Sequence, residues 1–148
     1  GSQVNINNVL LNHIQDKGLS AGEKSTIQAN NLTILNTSLA INSKDLSVIN
    51  IENSNISNGN VAYIAFMKKE EYGGAEINVN NVKIENVLKL YLIENKSNLK
   101  IAGKDFGIRI EKVKKLLYVI EERPAKKYIL RKEFNIAKEG QAIENSAQ

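Results

Sequence analysis

Charged residues able to do acid–base work recur at one place in a repeating chain. They are Asp16, Lys17 and Glu23, then Lys44 and Asp45, then Lys68, Lys69, Glu70 and Glu71, with Tyr72 next to them. Two carboxylates facing each other across a sugar could act as general acid and as nucleophile or base, the pairing that hydrolyses glycosidic bonds. A lysine held near neutral by burial or neighbouring cations could instead abstract a sugar proton, as a lyase requires. The structural alternative is a row of cross-repeat salt bridges on a solvated edge, each worth under ~1 kcal/mol. Lysines opposite carboxylates in successive repeats favour that self-neutralising edge over a catalytic pair. Lys44, Asp45, Lys68, Lys69, Glu70, Glu71 and Tyr72 are therefore ligand-binding candidates, and no residue is assigned as catalytic. Tyr63, Phe66 and Tyr72 could add a sugar-stacking platform, although strand alternation places part of that set in the core.

Other chemistries find less support. His13 is the only histidine and there is no cysteine. No compact carboxylate spacing offers a metal site, and no disulfide framework or thiolate centre can form. Gly73-Gly74 lacks the spacing of a phosphate-cradling loop, and no cofactor is implied.

The elements that must position these residues are written four times. Ile49-Asn50-Ile51-Glu52-Asn53-Ser54-Asn55-Ile56-Ser57-Asn58 reappears as Ile27–Asn36, as Val4–His13 and as Ile77–Asn86. The shared rule is apolar, x, apolar, x, Asn, x, x, apolar, x, Asn, with His13 in place of the last Asn. A fixed period in the low twenties, stretched once to 28, marks a stacked array. Period-2 alternation within each copy reads as short strands. Val4/Ile6, Ile27/Ala29, Ile49/Ile51 and Ile77/Val79 face inward from the first, and Leu11, Ile34, Ile56 and Ile84 from the second. A third strand follows at Leu19/Ala21, Leu39/Ile41, Val61/Tyr63 and Leu90/Leu92.

Asn at both bends suits a tight turn, because Asn tolerates the left-handed backbone region. Asn8, Asn31, Asn53 and Asn81 are expected to form one inward-facing amide stack between adjacent coils. Three strands per repeat describe a right-handed parallel β-helix of about five coils. A left-handed β-helix lacks support because its hexapeptide rhythm is absent. A β-sandwich is the main rival, but it does not require Asn in register. The extra residues of the longest repeat fall at 66–75, where solenoids often place binding loops.

The repeat decays after Ile101. Gly103-Lys104-Asp105 reads as a turn, and apolar Ile110, Val113, Leu116 and Leu117 suit a short amphipathic helix within 106–118. Such a helix is expected to cover the open end of the stack. The domain reading is thus a β-helix with a C-terminal helical cap over 3–118. Residues 119–148 follow as a tail that is an extra strand and helix or a linker. The chain is 42% hydrophobic but only 5% aromatic, which suits narrow regular stacking. Residues 1–98 carry 8 Lys against 9 acidic residues, so the +4 net charge lies near the C-terminal end. A near-neutral repeat body argues against a nucleic-acid groove. No apolar run reaches the roughly 18 residues of a membrane span. Gly1-Ser2 reads as a cloning remnant, so flanking domains are expected outside this chain, with a further segment or a second chain against Val4.

Four stretches carry a resemblance. Asp16-Lys17-Gly18-Leu19-Ser20-Ala21-Gly22-Glu23 resembles the DKGISVGE stretch of bacterial right-handed parallel β-helix repeat domains. Leu39-Ala40-Ile41-Asn42-Ser43-Lys44-Asp45 is similar to their GIASKD. Lys68-Lys69-Glu70-Glu71-Tyr72-Gly73 is similar to their KKPEFG, except for Glu70 in place of Pro. Lys114-Lys115-Leu116-Leu117-Tyr118 is similar to their closing segment. The resemblance covers roughly residues 4–118 of this pectate-lyase-like superfold. Domains of this kind occur in larger surface or exported proteins, some with a CotH-type kinase-like region. It implies an extracellular or cell-surface bacterial location and a polysaccharide or protein partner. The expected role is a non-catalytic rigid spacer or a glycan- or protein-binding surface. The alternative is a polysaccharide lyase or hydrolase using the charged residues on the third-strand edge, since carbohydrate-active proteins resembling this fold hold substrate there.

Overall fold

The computed structural model describes residues 1–121, 136–137 and 141–142. The first repeats supply β1 (Gln3–Asn12), β2 (Lys17–Ala21), β3 (Thr26–Leu35) and β4 (Leu39–Lys44). Two long, bent strands follow, β5 (Val48–Phe66) and β6 (Glu76–Glu94). Then come β7 (Asn98–Ile101), β8 (Lys104–Phe106), β9 (Arg109–Ile110) and the helix α1 (Val113–Glu121). Beyond it, β10 (Ile136–Ala137) pairs antiparallel with β11 (Gln141–Ala142); the rest of the tail lies outside the described residues.

The sheet is mostly parallel, and its register is that of the repeat. Val4 pairs with Ile27, Ile27 with Ile49, Ile49 with Ile77 and Ile77 with Leu99. The same offsets align Leu11, Ile34, Ile56 and Ile84. Beside this run, β2 pairs β4 and β4 pairs the second half of β5, which pairs the second half of β6. Each inward column is buried from β3 onward, with Ile49, Ile77, Ile84 and Leu99 fully enclosed. Burying one such side chain contributes about 1.5–3 kcal/mol, so identical columns hold the register. Val4, in the same column on β1, remains 42% exposed.

Both bends use the left-handed backbone region in every repeat. Asn8, Asn31, Asn53 and Asn81 have φ of 56°, 54°, 59° and 50°. His13, Asn36, Asn58 and Asn86 have 57°, 51°, 59° and 57°. The expected inward stack at the first bend needs correction, because all four of its Asn residues are exposed. The Asn31 amide donates to Asn8 Oδ1 at 2.9 Å, but Asn53 donates to Asn30 Oδ1 and Asn81 to Glu52 Oε1. The positive φ favours Asn for its backbone, and at this bend the side chain lies on the solvent side. The continuous amide ladder lies at the second bend, where Asn86 donates to Asn58, Asn58 to Asn36 and Asn36 to Asn12.

A hydroxyl column missed in the sequence reading precedes the first strand. Ser2 N–H donates to Ser25 Oγ, Ser25 N–H to Ser47 Oγ, and Ala75 N–H to Ser97 Oγ. Ala75 interrupts the column, and Ser47 N–H turns to Lys44 O instead. The signal was available: residues 2, 25, 47, 75 and 97 repeat at the same spacings as the strands.

Two readings of the later chain also change. In the fourth repeat the third strand is shifted by one, so Tyr91 follows Leu19, Ile41 and Tyr63 in the inward column. Leu39, Val61 and Leu92 instead belong to a second apolar cluster with Ile64 and Phe66. The helix covers this cluster rather than the end of the stack. Val113 and Leu117 pack into it, Ile110 leans on it from β9, and Leu116 stays 42% exposed. The last repeat is closed by the β7–β8 hairpin, which places Phe106 against the main core. The hairpin turns at Ala102-Gly103, both at positive φ, and Lys104 and Asp105 lie in β8.

Candidate functional site

The charged candidates lie where the third strands end, except Asp16 and Lys17 at the start of β2, and they divide into three groups. Asp45 is the surprise: it is 2% exposed and has φ of 54°. Its Oδ1 accepts the backbone N–H of both Lys68 and Lys69 at 2.8 Å. A carboxylate accepting two amides is a charge-assisted anchor, so Asp45 pins the start of the 67–75 loop. It is not an open ligand contact.

Glu94, which sequence reasoning missed, does the same two repeats later. It is 5% exposed. Its Oε2 accepts Met67 N–H at 2.7 Å, and its Oε1 accepts Val113 N–H at 3.1 Å. The second bond satisfies an amide at the first residue of α1 and places negative charge at the positive end of the helix dipole. One carboxylate thus fixes both the loop and the helix. Nothing in an isolated Glu marks this role; only the strand register, with Glu94 one place after the Ala65–Ile93 pair, points to it.

The second group is self-neutralised. Lys69 pairs with Glu23 across two repeats, which holds the Glu23 carboxyl below its ordinary range and raises Lys69. Lys69 and Lys24 also lie 5.7 and 5.6 Å from the centre of the Tyr72 ring, within cation–π reach. Tyr72 is therefore an anchor for cations of its own chain. Glu70 and Glu71 are exposed on the loop turn. The loop ends at Gly74, where a Cβ would stand 1.8 Å from Lys96 O, so only glycine allows this backbone approach.

The third group surrounds a pocket of about 380 Å³ lined by Asp16, Lys17, Lys44, Phe66, Lys68, Lys114 and Leu117. Among the described residues, four lysines from four segments share it with one carboxylate, and Asp16 accepts from Lys17 at 2.8 Å. Lys44 is half-buried, and its pKa is pushed down first by desolvation and then by Lys68 and Lys17. Lys68 and Lys69, adjacent in sequence, thus serve different surroundings. Lys44 acts on Glu23 of the preceding repeat and on Lys68 of the next, and Lys17, Asp45 and Asp16 also act on it. Lys114, known in the sequence only as part of a closing segment, is brought here by α1.

Among the described residues, no group of three His, Cys, Asp or Glu side chains could hold a metal ion. No helix among them is long and apolar enough to cross a membrane. In comparisons with protein-family models, curated proteins and solved structures, nothing matches this chain.

Proposed function

We propose that the chain is a right-handed parallel β-helix of about five coils, a non-catalytic module of a larger bacterial surface or exported protein. It acts as a rigid spacer that presents a glycan-binding face beside its third strands. The observation that carries this reading is the commitment of the edge carboxylates. Asp45 holds two loop amides, Glu23 is paired with Lys69, and Asp16 accepts from Lys17. Hydrolysis needs one carboxyl kept protonated and a second across the bond, whereas Glu23 is pushed toward the ionised form. What borders the concave surface is cationic, which suits holding an acidic glycan.

One observation favours the lyase alternative, namely the lowered pKa of Lys44. A half-buried lysine among cations is the type of base that a lyase uses. Incubation with acidic and neutral polysaccharides separates the two. Retention of an acidic glycan without product is the expected result. An unsaturated, ultraviolet-absorbing product that disappears in Lys44→Gln would establish the lyase and overturn the module reading.

A further inference from the structure

We propose that the pocket between the third strands and α1 binds a phosphate monoester carried on a sugar. The dianionic head lies among Lys44, Lys68 and Lys114, and the carrier lies against Phe66 and Leu117. This rests on the glycan-binding reading and names the chemistry that the face selects.

Placement is the first support. Lys44 ends β4, Lys68 opens the loop after β5, and Lys114 lies in the first turn of α1, yet all three line one cavity. Among the described residues, none of the three has a carboxylate oxygen within salt-bridge distance. The neighbouring Lys69, which does not line the cavity, has one in Glu23. Concentrating like charge costs free energy: the Lys44 pKa is pushed down by desolvation first and by Lys68 and Lys17 after it. An anion seated among them removes that cost.

Preorganisation is the second. The two segments that bring Lys68 and Lys114 are the two held by buried carboxylates. Asp45 accepts Lys68 N–H, and Glu94 accepts the N–H of Val113, the residue before Lys114. Fixing these backbones in advance lowers the ordering cost of binding. Lys114 brings its charge from the first turn of α1, whose N-terminal amide is already held by Glu94.

The cation type chooses the anion. A planar carboxylate is matched by the fork of arginine, whereas lysine acts as a point charge suited to phosphate. A phosphate monoester carries close to two negative charges above its second pKa of about 6, against one for a uronate. Phe66 and Leu117 give the lining an apolar part, which a bare ion would leave unused. The titratable groups around the site are Asp16 and Lys17 before and in β2, Lys44 and Asp45 at the end of β4, Lys68 and Lys114, with Glu94 bonded to the start of α1. The pH response comes from the ligand at the acid side and from Lys44, whose pKa is lowered first by desolvation, at the alkaline side.

Calorimetric titration of the whole chain at low salt tests this with glucose 6-phosphate, inorganic phosphate, glucuronate and phosphoserine. Glucose 6-phosphate is expected to bind more tightly than inorganic phosphate and glucuronate. Its affinity should fall as pH drops through about 6, where it loses one charge. Lys68→Gln and Lys114→Gln, both at exposed positions, should each weaken it about tenfold, while Lys69→Gln leaves it unchanged. Thermal melts of each variant keep unfolding apart from loss of binding. Equal or tighter binding of glucuronate overturns the phosphate assignment but leaves a glycan-binding module. Tighter binding of phosphoserine overturns the sugar carrier. No binding by any of the four, or indifference to both lysine variants, overturns the site itself.

Discussion

At the Asn bends, hydrogen bonds between repeats come from an amide that returns in every repeat; on the third-strand side they come from two carboxylates present once each. Asn36, Asn58 and Asn86 each donate one step along the stack, so the ladder is a sum of similar, solvent-touched bonds. Asp45 and Glu94 are almost wholly enclosed, and each holds two backbone amides, adjacent ones of the loop for Asp45 and one each from the loop and the helix for Glu94. A neutral hydrogen bond at a wet site contributes about 1 kcal/mol net, whereas one to a buried charge contributes about 1.5–3. The regular side therefore spreads its stabilisation thinly and tolerates loss. The irregular side concentrates it in two residues that also aim the loop and the helix.

The largest test of that contrast is Glu94→Ala. It leaves Met67 N–H and Val113 N–H without their acceptor and should cost about 4 kcal/mol in urea denaturation. A loss under ~1 kcal/mol would remove the distinction between the two sides. Asp45→Ala should cost about 2–3 kcal/mol, partly because Ala is strained at its positive φ. Asp45→Asn keeps an acceptor and tolerates that backbone, so it should recover most of the loss. Asn58→Ala breaks a donated and an accepted ladder bond and should cost about 2 kcal/mol. Asn53→Ala, on the exposed bend with one bond to Asn30, should cost about 1. Asn53→Gly should cost less than Asn53→Ala, since the side chain there contributes little beyond permitting the turn. Equal losses for Asn58→Gly and Asn53→Gly would show that the ladder adds nothing to the backbone demand.

The smallest effect belongs to the exposed Glu23–Lys69 pair. With the Glu23 pKa lowered on folding, its contribution is present above the ordinary carboxylate pKa and is lost as pH falls through the folded value. Lys69, raised on folding, contributes below the ordinary lysine pKa and loses this as pH rises through its own folded value. Glu23→Gln should therefore trail the parent only slightly at pH 7, because solvent screens the pair, and the gap should close as pH falls through the folded-state value. A clear drop at pH 7 would place this edge with the buried carboxylates.

Much of the array was legible because inward columns and backbone bends are repeated constraints. Ile27, Ile49 and Ile77 occupy one column at the spacing the repeat predicts, and all eight bend residues adopt positive φ. The direction of the Asn side chains was not legible. A positive φ fixes the residue type without fixing which side of the sheet its amide occupies. Asp45 and Glu94 could not be read from a repeat because neither recurs, and their burial depends on what α1 and the loop cover. The pocket was half visible: Lys44 and Lys68 stand on the predicted edge, but Lys114 reaches it only through the position of the helix.

The step from 22 to 28 residues between β5 and β6 has a consequence for how such a chain can change. Val48 through Ser57 pair with Glu76 through Glu85 in the same register as in the shorter repeats, so the added residues all fall outside the ladder. Lengthening a closed loop costs free energy only logarithmically, about 0.6 kcal/mol for each doubling. The loop is fastened upstream by the Asp45 carboxylate and downstream by the close passage of Gly74 over Lys96 O. Between those fastenings, around Glu70 and Glu71, it is a graft point. A foreign epitope or reporter peptide set there would be displayed on a stiff frame that does not register its presence, as long as Asp45 and Gly74 stay in place.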